Sequence, residues 1–163
     1  MRTEHDGMPT EHLIIEVCSR DEASAILCSP SQRADIAFLI SIGDEWDSPP
    51  AGMHHVRDRI RLLFADANDD SGPTEDDVAK LISFARAVMK RTGRLLIHCQ
   101  AGISRSSAAA VIVHAIALGT GREAEAVARV IAQRPIAHPN RRMIAIADRL
   151  LHLDGKLIAA LGD

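Results

Sequence analysis

The hydrophobic and polar positions of the first hundred residues alternate between short apolar runs and polar stretches with helical spacing. Residues 12–18 read as a first strand. Ser19 with Glu22 three positions on makes a capping box, which opens a short helix ending before Pro30. Residues 35–42 are apolar almost throughout, the pattern of a strand buried on both faces. Residues 43–52, with Pro49 and Pro50, read as a loop. A third strand over residues 59–64 feeds an acidic loop that holds Asp66, Asp69 and Asp70. Thr74 is the expected cap of the next helix, with acids in its first turn. Val78, Leu81, Ile82, Ala85, Val88 and Met89 recur there at helical spacing, and Gly93 is read as ending the run.

The second half of the chain is dominated by helical patterns. A short apolar run over residues 95–97 predicts another strand. The segment from about Arg105 to Leu118 is apolar nearly all round, as expected of a central buried helix. Thr120 with Glu123 predicts a capped helix to about Gln133. Asn140 is expected to cap the last helix, whose stripe is Met143, Ile144, Ala147, Leu150 and Leu151. Residues 1–11 read as a loose leader. Together these predict one α/β domain over residues 1–163, with a mostly parallel central sheet of about four strands and helices on both faces.

Composition refines this picture at a few points. With 47% hydrophobic and 25% charged residues the chain is ordinary for a globular protein. Aromatic residues are only 2% and tyrosine is absent, so the core must be built from Ala, Leu, Ile and Val. A formal charge of −3 argues against nucleic-acid affinity and against a polybasic membrane patch. No apolar run has transmembrane length, and the N-terminal residues lack a secretory pattern. Three cysteines at irregular spacing predict neither a disulfide framework nor a zinc site, and the expected compartment is the cytoplasm. Cys18 and Cys28 read as buried apolar cysteines. His54, His55 and His138 have no partners at metal-ligand spacing and read as surface histidines, so neither a metal nor a cofactor is expected.

Candidate chemistry concentrates in residues 95–106. A buried strand ends in His98-Cys99, a loop contains Gly102, and Arg105-Ser106 opens the central helix. Backbone N–H groups at a helix start, backed by the helix dipole, form a nest for a tetrahedral dianion. Arg105 adds a planar two-pronged grip on its oxygens. The same field favours a thiolate at Cys99 and makes it a nucleophile at neutral pH. By the rule that sites in such sheets lie at the carboxyl ends of the strands, Asp66 falls on the same edge as Cys99.

These residues match in full the His-Cys-x5-Arg-Ser signature of the cysteine-dependent protein tyrosine phosphatase superfamily. The Ala-Gly-Ile-Ser-Arg-Ser ending resembles the dual-specificity branch and its small bacterial members. The resemblance implies that Cys99 attacks phosphorus, while Arg105 and the backbone of Gln100, Ala101, Gly102, Ile103 and Ser104 hold the substrate phosphate. In that family an aspartate about thirty residues before the cysteine is the general acid. Asp66, Asp69 and Asp70 lie 33, 30 and 29 residues before Cys99, and Asp66 is favoured as nearest the strand end. Ser106 is expected to donate its hydroxyl to sulfur when thiolate leaves. His98 reads as support for Cys99 through backbone hydrogen bonds. Arg134 and Asn140 resemble the late segment that packs near the phosphate loop, although capping alone would account for Asn140.

The implied activity is a metal-independent phosphatase acting on phosphate monoesters through a phosphocysteine intermediate. Its partners would be phosphotyrosine or dual-specificity protein substrates, or a small ester, with a phosphate or sulfate ion fitting the loop. Gln100, Ala101 and Ile103 bear no positive charge, which favours a monophosphate over a multiply phosphorylated ring. Two other classes use a similar loop: a phospho-ligand-binding module without turnover, and a sulfurtransferase resembling rhodanese.

Overall fold

Residues 13–163 are described by the computed structural model; the leader read over residues 1–11, and His12, lie outside them. Four strands run Leu13–Ser19 (β1), Ile36–Gly43 (β2), Asp58–Leu63 (β3) and Gly93–Cys99 (β4). They form one all-parallel sheet in the order β1-β4-β2-β3. Seven helices accompany them: Arg20–Cys28 (α1), Pro30–Arg33 (α2), Glu75–Val88 (α3), Arg105–Leu118 (α4), Glu123–Gln133 (α5), Arg141–Leu150 (α6) and Lys156–Ala160 (α7).

Registry explains why β4 is buried along most of its length. It pairs with β1 from Leu13 against Gly93 to Ser19 against Cys99, and with β2 through Ile40 against Ile97. One face of the sheet carries α1, packed through Ala23 and Leu27 on Cys18, Leu39 and Leu96. On the other face α3, α4 and α6 close over Phe38, Ile40, Leu95 and Ile97. Helix α4 is buried from Arg105 to Val113, and its alanines let its neighbours approach closely. The outer edge of β1 is partly covered, because Gln133 accepts the Val17 N–H at 2.8 Å. Among the described residues no helix is long and apolar enough to cross a membrane.

The capping boxes at Ser19 and Thr74 are present, each with its reciprocal pair of hydrogen bonds. Three expectations need correction. Gly93 does not stop α3, which ends at Val88; it opens β4 with φ 139°, where a Cβ would lie 2.5 Å from that of Ala37. Ala37 is the extra residue of a bulge in β2, and a glycine opposite makes room for it. Thr120 does not cap α5; Arg122 holds that position, and Glu123 turns back to accept the Gly121 N–H at 3.0 Å. Helix α6 is not the last, since α7 follows. Buried Asp148 caps α7 from outside, accepting the N–H groups of Gly155, Leu157 and Ile158.

Candidate active site

Strand β4 delivers Cys99 to the carboxyl edge of the sheet, and α4 begins six residues later at Arg105. The carbonyls of the intervening loop are all engaged from outside. Gln100 O accepts Arg20 N–H at 3.1 Å. The Arg134 guanidinium donates to Ala101 O and Gly102 O at 3.2 and 3.0 Å. Ile103 O accepts His138 N–H, and Ser104 O accepts Asn140 N–H. The Ser107 hydroxyl adds a further bond to Ile103 O at 2.5 Å. With its carbonyls held outward, the loop turns N–H groups toward the sulfur. Gly102 sits at φ 72°, and a Cβ there would meet the Cys18 backbone at 2.6 Å, so no other residue fits.

Cys99 is buried, and burial by itself raises the pKa of a thiol. Here that effect is outweighed by the Ser106 hydroxyl, 3.0 Å from Sγ, and by the N–H groups of Ser106, Gly102 and Ile103, which leave the thiol below its ordinary value. Ser104 occupies the N-cap position of α4 yet makes no cap hydrogen bond. Its hydroxyl donates instead to Asp66 Oδ1 at 2.8 Å. The first amides of α4 are thereby left for an anion.

The Arg105 side chain is 5% exposed. Nη1 donates to Asp44 Oδ1 at 2.8 Å and to Phe64 O at 2.7 Å, while the buried Nε has no partner. An unpartnered guanidinium N–H in a buried site is costly unless a ligand oxygen meets it. Asp44 reaches Arg105 from a pinned loop: Arg61 donates to Asp47 O at 2.8 Å, and Arg20 to Ser48 O at 2.9 Å.

His98 supports Cys99 from the buried side. Burial pushes its pKa down to about 4, so the ring is neutral at pH 7. Its Nδ1 faces Cys99 O at 3.1 Å and must be the donor, since a carbonyl only accepts. Nε2 then accepts from the Ser41 hydroxyl at 2.6 Å, and Ser41 Oγ accepts from Arg61 at 2.7 Å.

Of the three aspartates, Asp66 is the one in contact with the Cys99 loop. Its Oδ1 accepts from both Ser104 and the Asn140 amide, each at 2.8 Å. Asp69 is exposed and folds onto Ser71, whose hydroxyl and N–H hold its carboxyl below the usual range. Asp70 extends toward Arg142 at 3.5 Å with its side chain fully exposed. Asn140 caps α6 through Met143 N–H at 2.9 Å and holds Asp66 as well, so both readings of that residue apply.

Sequence reasoning missed Asp44, Ser41, Arg61 and Arg20, because nothing local in the chain marks them as partners of residues 99–105. His138 is exposed at its side chain, as read, but its backbone N–H helps to shape the loop. Cys18 is buried on the α1 face, where burial pushes its thiol up to about 12. Cys28, expected to be buried, is exposed at the end of α1.

Sequence comparison finds no matching family model and no matching curated protein. Structural comparison finds clear likenesses. Human DUSP28 superposes with a TM-score of 0.65 at 20% identity, over 87% of this chain and 94% of that one. DUSP15 gives 0.64 at 22% identity, over 90% and 89%. A mouse putative dual specificity phosphatase complexed with zinc tungstate gives 0.59 at 22% identity, over 93% and 89%. At these identities the likeness is one of fold: the chain has the architecture of the dual-specificity and tyrosine phosphatases.

Proposed function

We propose that this protein is a cysteine-dependent phosphatase that hydrolyses phosphate monoesters, phosphotyrosine or dual-specificity protein substrates among them, through a phosphocysteine intermediate. The observation that carries the reading is a buried thiol held below its ordinary pKa by the hydroxyl and N–H of Ser106 and two loop amides, beside an arginine whose buried Nε is unpartnered. Burial alone would have acted in the opposite direction. The mouse protein's complex with zinc tungstate contains a tetrahedral oxyanion, the class of ligand proposed here for the loop.

In this mechanism the Cys99 thiolate attacks phosphorus. A P–S bond forms as the P–O bond to the leaving group breaks, and Asp66 gives that oxygen its proton. Arg105 and the amides of residues 100–105 hold the equatorial oxygens, where negative charge is concentrated. Water then attacks the thiophosphate while the Asp66 carboxylate takes its proton. Sulfur leaves as thiolate, stabilised by the Ser106 hydroxyl. The charge complementarity comes from protein groups, so the scheme calls for no metal, and a reducing compartment such as the cytoplasm keeps the thiolate available. The test is p-nitrophenyl phosphate: turnover by the wild-type chain and none by Cys99→Ser supports the reading. Phosphate binding without turnover by the wild type would leave only a phospho-ligand-binding module.

A further inference from the structure

The chain's only tryptophan is absent from its core. Trp46 is 88% exposed and lines a groove of about 480 Å³ beside the candidate active site. The groove shares a wall with that site, because it is also lined by Asp44 and Phe64, the two residues that hold Arg105. Its other charged lining groups are Glu45 and Asp77, and no lysine, arginine or histidine contributes. Among the described residues Glu45 has no hydrogen-bond or ion-pair partner. The backbone carrying the indole is fixed: Asp47 closes a turn onto Asp44 at both N–H groups, and Arg61 and Arg20 tie down residues 47–49. The indole is therefore a presented face on a held loop, not a collapsed side chain.

From this arrangement we infer that the Trp46 groove is a specificity subsite for a cationic side chain, arginine or lysine, flanking the phosphorylated residue of a peptide substrate. An indole face attracts a guanidinium or ammonium through its quadrupole, and the Glu45 carboxylate reinforces the attraction, Asp44 being paired with Arg105 and Asp77 held by Thr74. The same field disfavours an acidic flank. The wall shared with Arg105 puts cation and phosphate of one peptide within reach of adjacent sites. The inference rests on the phosphatase reading for its substrate, although the groove can be tested without turnover.

The test uses full-length Cys99→Ser and phosphotyrosyl peptides that differ only in carrying Arg, Leu or Glu beside the phosphotyrosine. Trp46 is the only indole, so its emission reports groove occupancy directly, with calorimetry as an independent measure of affinity. The Arg peptide is expected to shift the emission and to bind about 10-fold more tightly than the Glu peptide. Trp46→Ala and Glu45→Gln should each reduce that preference, and in the otherwise wild-type chain should leave p-nitrophenyl phosphate turnover unchanged. Saturation by the Arg peptide without an emission change, a Leu peptide that binds as tightly as the Arg peptide, or an undiminished preference in Trp46→Ala would overturn the subsite. Failure of the wild-type chain to turn over any ester, with the Arg preference intact, would overturn the phosphatase reading and leave the subsite standing.

Discussion

The Asn140 amide donates to Asp66 Oδ1 at 2.8 Å while its own oxygen caps α6 through Met143 N–H. One buried side chain thus joins the Asp66 loop to the start of α6, and its own N–H and that of His138 just before it bind the Cys99 loop. With Oδ1 already accepting from Ser104 and Asn140, Oδ2 is the oxygen from which the proposed general acid would donate.

Asn140→Ala should therefore act on proton donation more than on binding. The expected result is a fall in kcat of about 10- to 100-fold for an ester with a poor leaving group such as phenyl phosphate. p-Nitrophenyl phosphate, which leaves readily without a proton, should be affected much less, with KM little changed for both. Loss of the cap costs about 1 kcal/mol of stability as well. A purely structural defect would lower both esters equally, so the ratio of the two rates is the measurement.

Among the described residues Asp44 is the only carboxylate bonded to Arg105, whose side chain is buried. Asp44→Asn leaves that guanidinium without its full counter-charge; because the Asp44 side chain is itself 48% exposed, solvent screening holds the cost to about 1 kcal/mol. A bound oxyanion restores the missing charge. Thermal melts should show tungstate raising the Tm of Asp44→Asn by more than that of the wild type. Equal shifts would mean that Asp44 and the anion do not act on the same guanidinium charge.

Stability should fall on mild acidification because of His98. Its folded pKa of about 4 lies below the ordinary histidine value, so the unfolded chain takes up a proton first. The contribution is fully present above about pH 6.5 and is lost between about pH 6.5 and 4, with a slope approaching about 1.4 kcal/mol per pH unit for this one group. Protonation of Nε2 would also break its acceptance from Ser41. Urea unfolding across that range should show the loss; burial pushes His114 down to about 4 as well, so replacing His98 with asparagine should remove about half of the histidine-linked slope and leave the His114 share.

Ser106→Ala removes the hydroxyl that faces sulfur at 3.0 Å and lowers its pKa more than any other group. The thiol pKa should move upward. Breakdown of the thiophosphate should slow more than its formation, since sulfur is then the leaving group. Rapid-mixing kinetics with p-nitrophenyl phosphate should show a burst of nitrophenol that approaches about one equivalent and exceeds any seen with the wild type.

Much of this was written locally in the chain. The caps at Ser19, Thr74 and Asn140 follow from side chains that bond a backbone N–H within three residues, which a sequence shows directly, while α4, which has no side-chain cap, is marked by its apolar run alone. The apolar run over residues 36–42 likewise announces a strand covered on both faces. What stayed hidden was long-range. Asp44 meets Arg105 across 61 positions, and Ser41 meets His98 across 57. Helix α7 is short and takes its cap from Asp148 on the preceding helix, so no local signal marks its start. Gly93 misled for a related reason: its conformation serves a bulge on a neighbouring strand. Among the aspartates, spacing gave three candidates and nearness to the strand end favoured Asp66; Asp66 is the one that accepts from Ser104 and Asn140.

The central claim is that the loop keeps the Cys99 sulfur ionised and reserves the space beside it for an oxyanion. The most direct measurement is the rate of Cys99 alkylation by iodoacetamide as a function of pH, followed by peptide mass spectrometry, with and without tungstate. The account predicts a midpoint below the free-thiol value of about 8.5 and protection by tungstate. A midpoint at or above that value, with no protection by the oxyanion, would contradict it.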